Sequence, residues 1–184
     1  MTDATGYGKH MAILKVAHMG NPILRRVAEP VPVEQILSDH IQSLIADMLE
    51  TVAEYNGVGL AAPQVHHSIR LVLLCLNSDS NFEVWINPVL TPTTDIEVTT
   101  TEGCLSVPDL RGDVSRPTGV RVEAYNHQGQ HFVKHLEGFD AVVAQHECDH
   151  LDGVLYVDKV DTKTLSFLDE FRRYGHSIEE GDED

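Results

Sequence analysis

The residues in this chain best suited to chemistry are His146-Glu147-Cys148-Asp149-His150, two histidines four positions apart with a glutamate beside the first. On a helix, four residues turn about 400° and rise about 6 Å, so both imidazoles lie on one face and can grip one cation. Glu147, one step round, can reach that cation's open side without ligating it and carry a proton there. The bland alternative is a surface helix with two unrelated histidines, since so short a pattern also arises by chance. The other histidines, the His66-His67 pair among them, lack comparable spacing and read as ordinary surface groups.

A hydrolytic cation site takes three protein ligands and keeps a fourth position for water. Three side chains compete for third place, Tyr156, Glu170 and Cys104, with Cys148 a poor alternative. Tyr156 stands where the longer HExxHxxGxxH pattern has its third histidine, and Gly153 matches that pattern, but a phenol is a poor replacement for imidazole. Glu170 lies about twenty residues past His150, where some proteases keep a glutamate ligand, yet it falls among charged residues on what reads as a solvated helix face. Cys148 is two positions from each histidine, which turns it to the opposite side of the helix, toward the core. Cys104, in Glu102-Gly103-Cys104-Leu105-Ser106, follows a β-like run and precedes a Val-Pro turn. At a bend where a strand ends, its sulfur can point at a neighbouring helix; otherwise a lone cysteine is a small buried hydrophobe.

These residues need a frame to hold them. Apolar side chains at Ile36, Leu37, Ile41, Leu44, Ile45, Met48, Leu49 and Val52 give residues 33–55 one greasy helical face, ended by Asn56-Gly57. GVGLAAPQ (57–64) reads as a loop or irregular edge where backbone can approach a ligand closely. IRLVLLCL (69–76) suits a buried strand, with Cys75 a core residue, and further β-like runs fall at 82–87, 95–101, 119–125 and 131–136. Helical spacing returns from Phe139 to Leu151, and a last helix over 162–174 precedes the acidic tail. Strands in the middle and helices at both ends predict an α+β fold, mostly antiparallel sheets around a central metal-binding helix. No repeat, linker or boundary divides the chain, so one domain over 1–184 is expected, with a flexible arm (1–10) and a tail (177–184). On the central helix, Phe139, Val142 and Val143 precede His146 by seven, four and three residues and share its face. They can wall an apolar pocket beside the cation, with plain core packing as the alternative.

Three segments, GVGLAAPQ at 57–64, EGCLS at 102–106 and QHECDHL at 145–151, in this order and with these gaps, resemble the three signature motifs of peptide deformylases. NPILRRVAEPV near the start and VPDLRGDVSRP after Cys104 extend the similarity over roughly residues 11–160. The resemblance implies a metal-dependent hydrolase that removes the formyl group from N-terminal formylmethionine of newly made polypeptides. It implies one divalent metal ion on Cys104, His146 and His150: Fe(II) in cells, with Zn(II), Ni(II) or Co(II) able to replace it on purification. It further implies Glu147 as general base and acid, and the Gln64 amide with the Leu105 backbone N–H as donors to the oxyanion. Val58 and Gly59 would pair with an extended peptide, and Arg111 would sit at the rim.

Composition narrows the remaining classes. Thirteen Lys and Arg against 29 Asp and Glu give a net charge of −16, which excludes a general DNA-binding surface. The tail EEGDED likewise disfavours docking on the ribosome through the C-terminus, leaving nascent N-formylmethionyl peptides as the expected partner. Three cysteines, an odd and sparse set, fit a reducing compartment, and no signal or membrane-spanning run is visible, so a cytoplasmic protein is expected. The arm reads as flexible, and Met11 could equally be the start. Two rival readings stay open: an HExxH peptidase that uses Glu170, and a binding module whose structural metal is closed by Cys75 as a fourth ligand.

Overall fold

The computed structural model describes residues 12–76 and 82–175; the expected arm, Met11 and the acidic tail lie outside the described residues. Ser38 decides where the first helix begins. Its hydroxyl accepts a hydrogen bond from the Ile41 N–H at 3.4 Å, and helix α1 runs Asp39–Glu54. The helix expected over 33–55 is therefore shorter at its front, where Val33–Gln35 forms a separate 3-10 turn and Leu37 is exposed. Ile41, Leu44, Ile45, Met48 and Val52 form the buried face as their spacing predicts.

Strands β1 (Gly59–Ala61), β2 (Leu71–Cys75), β3 (Phe82–Pro92), β6 (Gly119–Tyr125) and β7 (His131–Glu137) form a five-stranded antiparallel sheet in the order β1-β2-β3-β6-β7. Alternation along β2 and β3 explains why 71–74 is apolar at every position. Leu71 and Leu73, with Val84 and Ile86, face the α1 side, while Val72, Leu74 and Trp85 face the core shared with helix α2 (Gly138–Leu151). A sheet covered on both faces loses the polar half of the strand pattern. GVGLAAPQ is more regular than expected: it supplies the edge strand β1 and a buried 3-10 turn, Ala62–Val65.

The second sheet, in the order β4-β5-β8, contains a strand that sequence patterning misses. Strand β4 (Glu97–Cys104) pairs along its length with β5 (Val107–Pro117), so the chain reverses at Leu105-Ser106 and Val107-Pro108 opens a strand instead of forming a turn. The inward positions of β5 include Gly112 and Arg116, and its ends carry Pro108 and Pro117, so no apolar alternation shows. The last helix is also shorter than the 162–174 expected. Ser166–Phe167 pairs with β5 as strand β8, and α3 is Leu168–Tyr174. Among the described residues no helix is long and apolar enough to cross a membrane.

Candidate metal centre

Helix α2 is buried along most of its length, on the sheet side through Ala141, Val143, Ala144 and Leu151. Gly138, at φ +59°, turns the chain from β7 into it, a conformation that a side chain would strain. The helix presents His146 and His150 toward the end of β4, their rings 5.2 Å apart and edge to face. There the β4-β5 reversal delivers Cys104. Its Sγ lies 3.2 Å from His150 Nε2 and accepts the Ser106 backbone N–H at 3.4 Å. The sulfur and one nitrogen of each histidine all lie within 4.8 Å of one another, and all three residues are buried.

One thiol and two imidazoles are the donor chemistry of a tetrahedral divalent site with three protein ligands, so the residues fit the metal that the sequence implies. His146 is oriented for this from behind. Its Nδ1 lies 2.7 Å from Glu102 Oε2, a contact in which the neutral ring donates Nδ1–H to the carboxylate and leaves Nε2 as a ligand. Glu102 is itself held by the Arg116 Nη2 at 3.0 Å, and Arg116 Nη1 donates to Asp149 Oδ2 at 2.9 Å. Lys159 completes the chain on Asp149 Oδ1 at 2.8 Å, so the buried Glu102 and the partly buried Asp149 meet two cations.

These contacts set the protonation of the cluster. Burial alone would raise the Glu102 pKa, but hydrogen bonds from Arg116 and His146 hold it down at about 2. Burial works against a proton on His146, yet the neighbouring Cys104 and Glu102 raise its pKa to about 10. His150 is pushed well below the ordinary range by burial and by His146. Any metal must displace the His146 proton, which makes its affinity pH-dependent.

Cys104, Leu105, His146, Glu147 and Gln64 share the wall of a cleft of about 470 Å³. Glu147 is 5% exposed; burial raises its pKa to about 7, and its Oε2 has no hydrogen-bond partner among the described residues. The backbone of β1 runs against this carboxylate so closely that a Cβ on Gly59 would sit 2.4 Å from Oε1. Gln64, 1% exposed, accepts the Ala61 N–H on Oε1 at 2.7 Å and turns Nε2 toward Cys104 Sγ (3.4 Å) and Ser106 Oγ (3.2 Å).

The expected pocket residues meet at the same cleft. Val142 and Val143 are buried in its wall and Phe139 stands exposed at its edge. Val58 is half-exposed beside Gly59, and the Arg111 guanidinium lies across Gly103, where a Cβ would come within 2.3 Å of Cζ. The competing ligands are elsewhere. Tyr156 is buried and stacks on His146 with ring centroids 6.2 Å apart. Glu170 is exposed and pairs with Arg173, and Cys148 is buried with its thiol pKa pushed up by burial. Cys75 is only partly buried, on β2, and does not join the cluster.

Sequence reasoning missed Glu102, Arg116, Asp149 and Ser106. Glu102 carried a readable signal: on a strand, residues two apart share a face, which sets 102 beside 104. Arg116 and Asp149 carried none, because only the unseen strand β5 brings Arg116 under the helix.

Residues 13–166 match the family model for polypeptide deformylase. The chain is 36% identical to a Met-Ala-Ser-bound class I type b peptide deformylase from Acinetobacter baumannii, covering 82% of this chain and 99% of that one, with a TM-score of 0.78. It is 34% identical to a peptide deformylase from Thermotoga maritima, over 81% and 98% of the two chains, with a TM-score of 0.76. An actinonin complex of the Synechococcus elongatus enzyme matches at 34% identity over 88% and 86%, with a TM-score of 0.75.

Proposed function

Because the chain belongs to the polypeptide deformylase family and is a hydrolase of that kind, we propose that it removes the formyl group from the N-terminal formylmethionine of new polypeptides, releasing formate. The observation that carries this reading is the meeting of Cys104, His146 and His150 at one point with Glu147 beside them on a cleft. The Met-Ala-Ser bound to the Acinetobacter relative supports it, being what formyl-Met-Ala-Ser becomes once the formyl group has left.

Cys104, His146 and His150 hold one divalent cation. When bound, it supplies Lewis acidity, making a hydroxide nucleophile available near neutral pH. Glu147 accepts the proton of the attacking water and passes it to the amine as the formyl C–N bond breaks, a role worth about 10²–10⁴ in rate. The Gln64 carboxamide and the Leu105 backbone N–H donate to the oxygen that becomes negative at the formyl carbon, each worth about 10²–10³. Formyl is the smallest acyl group, so a tight site admits it and rejects acetyl.

Val142, Val143 and Phe139 receive the methionine side chain. Val58 and Gly59 lead into β1, the edge of its sheet, and an extended peptide pairs with that edge as an added strand. Arg111 stands at the rim, toward the peptide's downstream residues. Thiolate and imidazole bind Zn(II) more tightly than Fe(II), so Fe(II) in the cell and Zn(II), Ni(II) or Co(II) after purification reflect supply. The substrate is a nascent chain, which places the enzyme in the cytoplasm. It acts there without DNA or membrane, and its net charge of −16 argues against phosphate docking through the acidic tail.

The test is formate release from formyl-Met-Ala-Ser, run beside metal content, in Cys104→Ser and Glu170→Gln. The deformylase reading expects Cys104→Ser to lose both and Glu170→Gln to keep both. The opposite pattern would establish a glutamate-ligated peptidase instead.

A further inference from the structure

The hydroxyl of Ser106 is fully buried at the reversal between β4 and β5, and none of the roles above uses it. It lies 3.2 Å from Gln64 Nε2, as the acceptor of one amide hydrogen. The orientation of that amide follows from its other end: the Ala61 N–H meets Oε1 at 2.7 Å, and a reversed amide would set two donors against each other there. A carboxamide nitrogen carries two hydrogens. With one on Ser106, the other is directed toward Cys104 Sγ, 3.4 Å away, where sulfur is a weak acceptor that an arriving carbonyl oxygen would outcompete.

The two loops are also tied to each other by one stretch of backbone. Ala17 N–H donates to the Gln64 carbonyl and Met19 N–H to the Ser106 carbonyl, each at 2.7 Å. The distance between the amide and the hydroxyl is thereby set by main chain, and the Ser106 N–H bond to the Cys104 sulfur does not depend on the side chain.

We propose that Ser106 is a positioning residue of the reaction, its hydroxyl holding the Gln64 carboxamide so that one amide hydrogen faces the substrate oxygen. This rests on the deformylase reading. A serine acting only through Gln64 has no effect once Gln64 is gone.

The experiment is a double-mutant cycle on the metal-loaded full chain: Ser106→Ala, Gln64→Ala and the pair, with kcat and KM for formyl-Met-Ala-Ser. Ser106→Ala lowers kcat about tenfold, less than the 10²–10³ lost with a whole donor, and leaves KM within about twofold. The pair matches Gln64→Ala alone. Metal content and the thiolate absorption of the Co(II)-loaded protein stay at the parent values in Ser106→Ala, and Ser106→Thr, which keeps the hydroxyl, recovers most of the rate. Should Ser106→Ala fail to fold, Ser106→Gly removes the same hydroxyl without bulk and enters the same cycle. Parent kcat in the serine variant, or a pair whose loss is the product of the two single losses, overturns the proposal alone. A parent protein that releases no formate overturns the functional reading as well.

Discussion

Glu147 sits where two opposing effects decide its charge. Burial raises its pKa to about 7, since a carboxylate out of water resists ionising. A divalent cation held by Cys104, His146 and His150 would favour the ionised form and pull the value down. The carboxylate must be unprotonated to take a proton from water, so activity is lost as pH falls through its pKa. The acid limb of kcat/KM in metal-loaded enzyme is therefore expected below pH 7; a limb above pH 7 would mean that the cation does not lie beside this side chain. Of the residues in this centre, those legible in the sequence are the ones whose spacing is local. His146, Glu147 and His150 follow from helix geometry, and Cys104, Gln64 and Leu105 from motif resemblance. Glu102 could have been read from its place two residues before Cys104 on a strand, whereas Arg116 lies on a strand that the pattern hides and Ser106 meets its partner Gln64 only through the fold.

Element by element, the centre depends on how closely two backbones pass. Strand β1 runs against Glu147 at Gly59, and any side chain there would displace the carboxylate. Gly59→Ala is expected to leave metal content unchanged and to lower kcat/KM by about 10²-fold, the scale of a displacement near 1 Å. Metal analysis beside steady-state kinetics checks it, and unchanged kinetics would place the strand farther from the base. Helices α1 and α2 were predictable from periodicity and strand β2 from its short, bulky, partly β-branched run, while boundaries shifted where local chemistry intervened. Ser38 caps α1 five residues after the 33–55 pattern begins, and pairing with β5 converts the front of the expected C-terminal helix into β8. Strand β5 itself could not be read, because its inward side carries Gly112 and the charged Arg116 that serves Glu102.

Over the whole molecule, the same buried network that orients His146 links stability to pH. The folded pKa of Glu102, about 2, lies below its ordinary value of 4.5, so its contribution to stability is present above that ordinary value and is lost as pH falls through the folded one. Acid unfolding of metal-free protein should therefore lose part of its steepness below pH 4.5 in Glu102→Gln, monitored by circular dichroism. An unchanged acid transition would mean that other carboxylates carry it. A cation bound only by the folded chain adds stability by mass action, and chelation lowers Tm accordingly. The central claim is that one ion on three side chains leaves proton transfer to a fourth that is not a ligand. Glu147→Gln tests it most directly, with metal content and formate release measured on one preparation. The variant is expected to hold a full equivalent of metal and to turn over about 10²–10⁴ more slowly; full metal with the parent rate, or loss of the metal itself, would refute that division of roles.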